Sequence, residues 1–273
     1  MKDFFKGENI EFYGAIRLSD CKITKQYLLD RAGFKENATV IMMLLPYRSE
    51  LLPKNLSVYA SVADYHRYVQ LLSERVKKYI KNLHPSALFE VFADHSPINE
   101  VHGACISGLG FIGDNGLLIN EKYSSFVFLC EFITDLSADE LGLELVQDVK
   151  IKRCLGCKAC MRACPSNCMD EGDPRPKTEC LSAITQKKGE LSPSEIELIK
   201  KHGSVWGCDI CQNVCPYTKN ASFTPIEFFR QGVITELTAE LVEKMSEQEL
   251  LCRPFAWRGR QVILRNLYLT QTK

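Results

Sequence analysis

This sequence of 273 residues lacks the features that would assign a protein to the membrane or to the secretory pathway. No apolar run reaches the ~20 residues that a membrane-spanning helix requires, so we expect no membrane contact. The first residues, MKDFFKGENIEFYGAI, carry acids early and have no long apolar segment before a small-residue cleavage site, unlike a signal peptide. We therefore expect a cytoplasmic protein.

The sequence also lacks net charge. Its 34 basic and 34 acidic residues balance, so the whole chain has no electrostatic preference for nucleic acid or for an anionic membrane. After Leu250 no acidic residue occurs, and the basic residues there are Arg253, Arg258, Arg260, Arg265 and Lys273. They form either a solvated tail packed on an acidic face or a contact surface for RNA, and the sequence leaves both interpretations open.

Cysteine, by contrast, is abundant and clustered, with 13 residues in the chain. The stretch CLGCKACMRACP has the spacing C-x2-C-x2-C-x3-C-P of a bacterial loop that binds iron–sulfur clusters, and CDICQNVCP repeats its later part. In such loops the fourth cysteine ligates the other cluster. This rule predicts one [4Fe–4S] cluster on Cys154, Cys157, Cys160 and Cys215. It predicts a second cluster on Cys164, Cys180, Cys208 and Cys211.

Structural zinc is the alternative for these cysteines, because C-x2-C pairs also suit a tetrahedral zinc ion. Zinc accounts for four thiol ligands but not for eight with two C-x3-C-P endings, so two clusters are the better interpretation. Cys168 lies close enough to Cys164 in sequence to leave open which thiol ligates. We expect the remaining cysteines to be mostly buried thiols without a ligand role: Cys21, Cys105, Cys130 and Cys252.

Apolar periodicity predicts an α/β (α+β) domain over residues 1–150. ATVIMMLL, SALFEVFA, GLLIN and SSFVFLCEFIT are expected strands, and apolar residues from Val58 to Leu83 follow the spacing of one long helix. A two-cluster ferredoxin-like module is expected over residues 151–220. Residues 221–273 are expected to form a helical segment that packs back on the first domain, with SEQE at 246–249 as a capping box.

Asp94 directly follows the second predicted strand, at the strand end where α/β sheets place their sites. Ser96 and Pro97 resemble an N-cap and a first-turn proline, so a helix is expected from there to near Gly108. The glycines at 108, 110 and 113 fit the dinucleotide fingerprint in letters. However, a helix precedes them and a strand follows, which is the reverse of the required context. We expect these glycines to let a flat, bulky group approach the backbone.

The combination of DHSPINEVHGACISGLGFIGDNGLLIN, SSFVFLCEFITD and GCDICQNVCP resembles the epoxyqueuosine reductase family. The resemblance extends upstream to DYHRYVQLLSERVKKYI and downstream to RGRQVILRN, so it covers most of the chain from about Ile41. It implies a cobalamin-dependent reductase with two [4Fe–4S] clusters, a cobalamin-binding α/β domain and a low-potential electron donor of the flavodoxin or ferredoxin type. The expected reaction is the reduction of epoxyqueuosine to queuosine in tRNA.

The resemblance also assigns roles to single residues. Asp94 matches the proton-donating aspartate of the family, and His66 matches an active-site histidine. The residues expected to line the cofactor are Gly108, Gly110, Gly113 and Asn115.

Three positions depart from the family pattern. Val101 replaces an arginine, Asp114 replaces a lysine and Ile106 replaces a basic residue, so positive charge is lost at each. Family members also continue into a helical-repeat domain that this sequence does not include. We therefore expect weak affinity for tRNA. The alternatives are a paralogue that reduces a small-molecule epoxide or halogenated substrate, and a two-cluster electron carrier without cobalamin.

Overall fold

The computed structural model describes residues 1–147, 149, 152–169 and 179–271. Two units emerge: Met1–Pro46 with Tyr65–Leu155, and Tyr47–Asp64 with Gly156–Lys273. This division differs from the boundaries expected at residues 150 and 220. Residues 47–64 group with the cysteine-containing region and the C-terminal region rather than with the residues that flank them in sequence.

The first unit contains a four-stranded sheet with the order β1-β2-β6-β3. Its strands are β1 (Tyr13–Arg17), β2 (Thr39–Pro46), β3 (Phe89–Phe92) and β6 (Val127–Thr134). Every pairing in it is antiparallel, which corresponds to the α+β form of the predicted class. The central strand β2 is buried at all of its positions, as expected for a continuous apolar run.

Two further strands, β4 (Phe111–Ile112) and β5 (Leu118–Ile119), form a separate antiparallel pair. The helices of this unit are α1 (Lys2–Gly7), α2 (Gln26–Ala32) and α5 (Glu100–Ile106), together with a long helix described next. Apolar side chains from the sheet, from α2 and from α5 form the core of this unit.

The helix predicted from Val58 to Leu83 is two helices. A short helix, α3 (Val58–Ser61), ends where Val62 adopts an extended backbone, and α4 (Tyr65–Leu83) begins three residues later. The amide of Asp64 donates to the carbonyl of Cys252 at 3.0 Å, so tertiary pairing holds the chain out of helical geometry at this break. Apolar spacing alone could not reveal this interruption, because it continues in phase across the break.

The helices of the second unit after α3 are short. They are α6 (Ala159–Ala163), α7 (Leu181–Thr185), α8 (Pro193–His202), α9 (Ile210–Asn213), α10 (Ala239–Lys244), α11 (Glu247–Leu251) and α12 (Arg260–Gln271). The predicted capping box is confirmed: the hydroxyl of Ser246 and the carboxylate of Glu249 each accept from the other's backbone amide. The C-terminal segment is therefore helical, as predicted.

Residues 47–64 are bound into this second unit by backbone hydrogen bonds. Leu56 forms a parallel bridge with Trp206, and the amide of Ser57 donates to the carbonyl of Trp206 at 2.8 Å. Trp206 is fully buried and contacts Phe255 edge to face, with ring centroids 6.3 Å apart. The side-chain amide of the fully buried Asn266 in α12 donates to two backbone carbonyls. The C-terminal segment thus packs with residues 47–64 and with the residues around Trp206.

Candidate active site and cluster-binding region

Asp94 lies in the loop between β3 and α5 and has a left-handed backbone, with φ of 60°. The left-handed backbone conformation is unfavourable for a residue with a side chain. It is typical of functional loops that their surroundings hold in place. The amide of Asp94 donates to Oε1 of Glu100 at 3.0 Å, so a side chain from the first turn of α5 fixes the strained residue.

His66, in the first turn of α4, faces Asp94. Its Nε2 lies 3.5 Å from Oδ2 of Asp94, and the two side chains are 55% and 70% exposed. The structure therefore brings together two residues that the family resemblance predicts to be catalytic, although 28 positions separate them in sequence. Both remain accessible to a ligand on the surface of this unit.

Tyr65 is a third member of this site, and the sequence analysis missed it. It hydrogen-bonds the Asp94 carboxylate. Its ring stacks on Phe128 with centroids 4.1 Å apart and contacts the ring of His66 at the same separation. A tyrosine beside a candidate histidine at the start of a helix was the available signal.

The environment of Asp94 favours its ionised form. Partial burial opposes ionisation, but hydrogen bonds from His66 and Tyr65, with the positive charges of His66 and Lys25, outweigh it and lower the pKa of Asp94. The helix that follows begins only at Glu100. The N-terminus of this helix is therefore not the cause of the lowered pKa of Asp94.

The prediction that Ser96 caps this helix is wrong. The N-cap is Asn99, whose side chain accepts from the amide of His102 at 3.0 Å. The hydroxyl of Ser96 instead donates to Oε1 of Glu131 and accepts from the amide of Ile98. A buried carboxyl group, invisible to local sequence patterns, binds the hydroxyl that the cap would have used.

Glu131 occupies the middle of β6 and is fully buried. Its neighbours across the sheet are Met42 on β2 and Phe92 on β3. Burial, followed by the nearby charge of Glu100, raises the pKa of Glu131 well above its usual range. An acid inside the apolar run SSFVFLCEFIT was the signal in the sequence for this unusual residue.

The predicted cofactor-binding glycines have roles within the fold itself. Gly108 has a positive φ of 78°. A Cβ atom on Gly110 would lie 2.4 Å from the carbonyl oxygen of Ile119, and one on Gly113 would lie 2.6 Å from Oδ1 of Asn115. That oxygen accepts from the amide of Leu117 at 3.3 Å. Close packing against backbone therefore requires glycine at position 110 of the β4–β5 hairpin, whereas at position 113 the neighbours are side-chain atoms. The contact of these residues with a cofactor stays a prediction.

Three of the thiols predicted for the second cluster lie near one another. Burial is the main cause that raises the pKa of Cys208 to about 11, and the nearby Cys180 and Cys164 raise it further. Cys168 joins this group, since its Sγ lies 3.4 Å from Sγ of Cys164 and it also hydrogen-bonds Cys180. This set of convergent thiols fits the donor chemistry of an iron–sulfur cluster. The choice between Cys164 and Cys168 as a ligand stays open.

The loop that carries the other predicted ligands turns through left-handed residues. Gly156 and Lys158 have φ of 64° and 57°, and α6 follows directly. Cys160 is buried in this helix, whereas Cys157 is exposed. Helix α6 packs against α9, which places the two cysteine-rich stretches side by side. Within the described residues, no three His, Cys, Asp or Glu side chains form a site for a single metal ion.

The C-terminal arginines are largely engaged in the second unit. Arg253 donates to the carbonyl of Gly232, and Arg265 donates to the carbonyls of Lys187 and Gly189. Arg260 donates to the carbonyls of Val242 and Met245. Arg258 stacks on Trp257, with 3.7 Å between the guanidinium carbon and the ring centroid, and Lys273 lies outside the described residues. Most of the basic residues after Leu250 therefore bind backbone carbonyls of their own unit.

Among the described residues, no helix has the length and apolar character needed to cross a bilayer.

Residues 153–218 match the family model described as a 4Fe-4S double cluster binding domain, which confirms the prediction of two clusters. An epoxyqueuosine reductase of Cyclobacterium marinum is 30% identical over 229 residues, covering 80% of this chain and 69% of the relative. One of Lactococcus garvieae is 32% identical over 211 residues, covering 75% of this chain and 57% of the relative. The chain therefore spans about three fifths to two thirds of the length of these relatives.

Solved structures agree with this relationship. An epoxyqueuosine reductase of Streptococcus thermophilus has a TM-score of 0.74 and 24% identity, covering 98% of this chain and 79% of that chain. A crystal structure of epoxyqueuosine reductase with an epoxyqueuosine-modified tRNA-Tyr stem loop has a TM-score of 0.75 and 21% identity, covering 98% and 80%. A catabolic reductive dehalogenase has a TM-score of 0.51 and 14% identity, covering 99% and 35%. At these identities the likeness establishes the fold.

Proposed function

The chain belongs to the epoxyqueuosine reductase family, and we propose that it reduces epoxyqueuosine to queuosine in tRNA. The observation that carries the proposal is the approach of His66 to Asp94, which joins a proton donor to a group that orients it. The structure of an epoxyqueuosine reductase with an epoxyqueuosine-modified tRNA stem loop supports a tRNA stem loop as the substrate. The proposed enzyme acts in the cytoplasm.

The reaction determines the cofactors. Reduction of an epoxide to an alkene with release of water consumes two electrons and two protons, and protein side chains do not supply low-potential electrons. The proposed ligands are Cys154, Cys157, Cys160 and Cys215 for one cluster, and Cys164, Cys180, Cys208 and Cys211 for the other. Cobalamin, when bound, supplies the two-electron chemistry at the substrate. The exposed faces of Asp94 and His66 leave room for such a flat group.

Asp94 donates a proton to the departing epoxide oxygen in this proposal. The free site holds Asp94 ionised, so the carboxyl must take up a proton once cofactor and substrate cover it and exclude water. His66 and Tyr65 orient the carboxyl group. The proposed electron donor is of the flavodoxin or ferredoxin type, and the two clusters, when bound to the proposed cysteines, would supply single electrons.

Reduction of a small-molecule epoxide or halogenated compound is the second candidate function. The observation that favours it is the loss of positive charge near the site. Val101 and Ile106, which replace basic residues of the family, pack against the apolar core of the first unit, and Asp114 replaces a lysine. An anionic RNA backbone would gain less from this surface than from that of other family members.

A parallel turnover assay separates the two functions. Cluster-loaded protein supplied with cobalamin and a low-potential reductant is incubated without oxygen. The substrates, in separate reactions, are an epoxyqueuosine-bearing stem loop, a simple aliphatic epoxide and a halogenated phenol. Conversion of the stem loop alone, seen by mass spectrometry as the loss of one oxygen atom, is the expected result. Conversion of only the small molecules would replace the proposal with the alternative.

A further inference from the structure

The carboxyl of Glu131 is buried in a way that an ionised group would not tolerate. The residue has no exposed surface, and its Oε1 accepts from the hydroxyl of Ser96. Its Oε2 has no hydrogen-bond donor among the described residues. Burying a carboxylate with half of its acceptors unsatisfied is strongly unfavourable, whereas a protonated carboxyl becomes a donor itself.

Glu100 is the acceptor of the hydrogen bond that this protonated carboxyl donates. Its side chain hydrogen-bonds the Glu131 carboxyl. Two carboxyl groups can hydrogen-bond only when one of them is protonated, because both are acceptors in the ionised form. Glu100 therefore accepts from two sides, from the Glu131 carboxyl and from the amide of the strained Asp94.

We propose that Glu131 and Glu100 share one proton on the alkaline side of neutral pH, and that this pair is the positioning element of the Asp94 loop. Glu131 holds Glu100 in place from the sheet. Glu100 holds the left-handed backbone that aims Asp94 towards His66. The effect of the Glu131–Glu100 pair on catalysis rests on the proposed function. The shared proton and the fixed loop are properties of the chain alone.

The charged and titratable groups around the pair agree with this assignment. Burial is the main cause that raises the pKa of Glu100 to about 7, opposed by its bond from the Asp94 amide and by the charge of Lys25. Burial, followed by nearby charges that include Glu131, raises the pKa of two thiols, Cys130 beside it and Cys21. Because Glu131 has no exposed surface, whereas Glu100 is partly exposed and also accepts from the Asp94 amide, Glu131 is the member that keeps its proton as pH rises.

The pair also acts on the charge of Asp94. The negative charge of Asp94 raises the pKa of Glu100. By reciprocity, an ionised Glu100 favours the protonated form of Asp94. The charge of Glu100 therefore opposes His66, which lowers the pKa of Asp94. A single proton on the pair thus leaves one negative charge beside Asp94, where it assists proton uptake once the site is covered.

Infrared difference spectroscopy of the cluster-loaded protein tests the shared proton without substrate or cobalamin. At about pH 8, one unit above the pKa of Glu100, the wild type should retain one protonated carboxyl band that is absent from Glu131→Gln. A second band should titrate near pH 7 and be absent from Glu100→Gln. Glu90→Gln, which removes a carboxyl of β3 outside the pair, should retain both. A wild type without a protonated carboxyl at this pH would overturn the proposal.

Hydrogen exchange tests the positioning role in the same protein. Glu100→Ala removes the acceptor of the Asp94 amide, so peptides spanning residues 93–99 should exchange at least about tenfold faster. Glu90→Ala should leave their exchange unchanged, and unchanged exchange in Glu100→Ala would contradict the role. Iron content confirms folding, and the isosteric Glu131→Gln keeps the proposal testable if Glu100→Ala does not fold. Failure of tRNA turnover alone would contradict the proposed function and leave these two readouts intact.

Discussion

Asp94 experiences two opposing influences at the scale of single residues. His66, Tyr65 and Lys25 stabilise its carboxylate, while its own partial burial and the neighbouring Glu100 favour the protonated acid. A general acid near neutral pH needs these influences to be nearly balanced, so that a change in solvation on ligand binding can move the proton. Such an arrangement is better explained by catalysis than by capping, because Asn99 caps the following helix.

Asp94→Asn should separate catalysis from structure. The substitution preserves size and polarity but removes the titratable proton, so we expect turnover to fall by about two to four orders of magnitude. Iron content and cobalamin binding should remain as in the wild type. Asp139→Asn, at an exposed position of the same unit, is the matched control and should retain activity. Equal activity of Asp94→Asn and wild type would exclude Asp94 as the proton donor.

His66→Ala should move the pH dependence of the reaction. His66 stabilises the Asp94 carboxylate, so its removal raises the pKa of Asp94. An acid catalyst loses activity as pH rises through its pKa, and the alkaline limb of kcat/KM should therefore shift to higher pH in the variant. His202→Ala, in α8 of the second unit, should leave the profile in place. A shift to lower pH would show that His66 acts differently.

At the scale of elements, the sequence predicted what local patterns determine. The continuous apolar run at 38–45 became the fully buried β2, and the SEQE motif became a capping box. The prediction of one helix from Val58 to Leu83 was wrong because the amide of Asp64 donates to the carbonyl of Cys252, a residue far along the chain. The prediction of Ser96 as the helix N-cap was wrong for a similar reason, since its hydrogen-bond partner Glu131 lies on a distant strand.

The candidate site shows the same limit. Asp94 was predicted from its place at a strand end as well as through the family resemblance, whereas His66 was predicted through the resemblance alone. Nothing in local spacing indicates that a loop after β3 meets the start of α4. The partnership of Glu100 with Glu131 could not be foreseen, since it depends on the antiparallel register that sets Glu131 opposite Phe92, two residues before Asp94. An acid in an apolar strand indicates an unusual environment but does not identify its partner.

Gly110→Ala tests the structural role of the β4–β5 hairpin. The new Cβ would lie 2.4 Å from the backbone carbonyl of Ile119, so the hairpin must shift, and we expect the free energy of unfolding to fall by about 1–3 kcal/mol. Gly7→Ala is the matched control, because a Cβ atom added there would have nothing within 4 Å of it. Chemical denaturation measures both. A stable Gly110→Ala that fails to bind cobalamin would instead assign the glycine to the cofactor.

At the scale of the whole molecule, the chain passes between its two units three times, after Pro46, Asp64 and Leu155. The first unit contains the candidate proton donor, and the second contains most of the predicted cluster ligands. The departures from the expected boundaries follow from residues 47–64, whose backbone bonds to Trp206 bind them to the cysteine-containing unit. Each unit has its own apolar core, which accords with separate tasks in proton and electron supply.

Metal analysis tests the electron-supplying unit. Anaerobically purified protein should contain about eight iron and about eight acid-labile sulfide per chain, as two four-iron clusters require. Cys157→Ser should lose about half of each, because the substitution removes a ligand of one cluster only. Cys105→Ser, at a buried position in α5, should retain the full content. Stoichiometric zinc without labile sulfide would contradict the assignment.

The most direct test of the central claim is a single-turnover measurement of electrons and product. Protein loaded with clusters and cobalamin is reduced without oxygen and freed of the reductant. An epoxyqueuosine-bearing stem loop is then added while cluster absorbance is followed and the RNA is analysed by mass spectrometry. We expect one queuosine to form for every two electrons lost from the protein. Reoxidation of the protein without loss of oxygen from the RNA would contradict it.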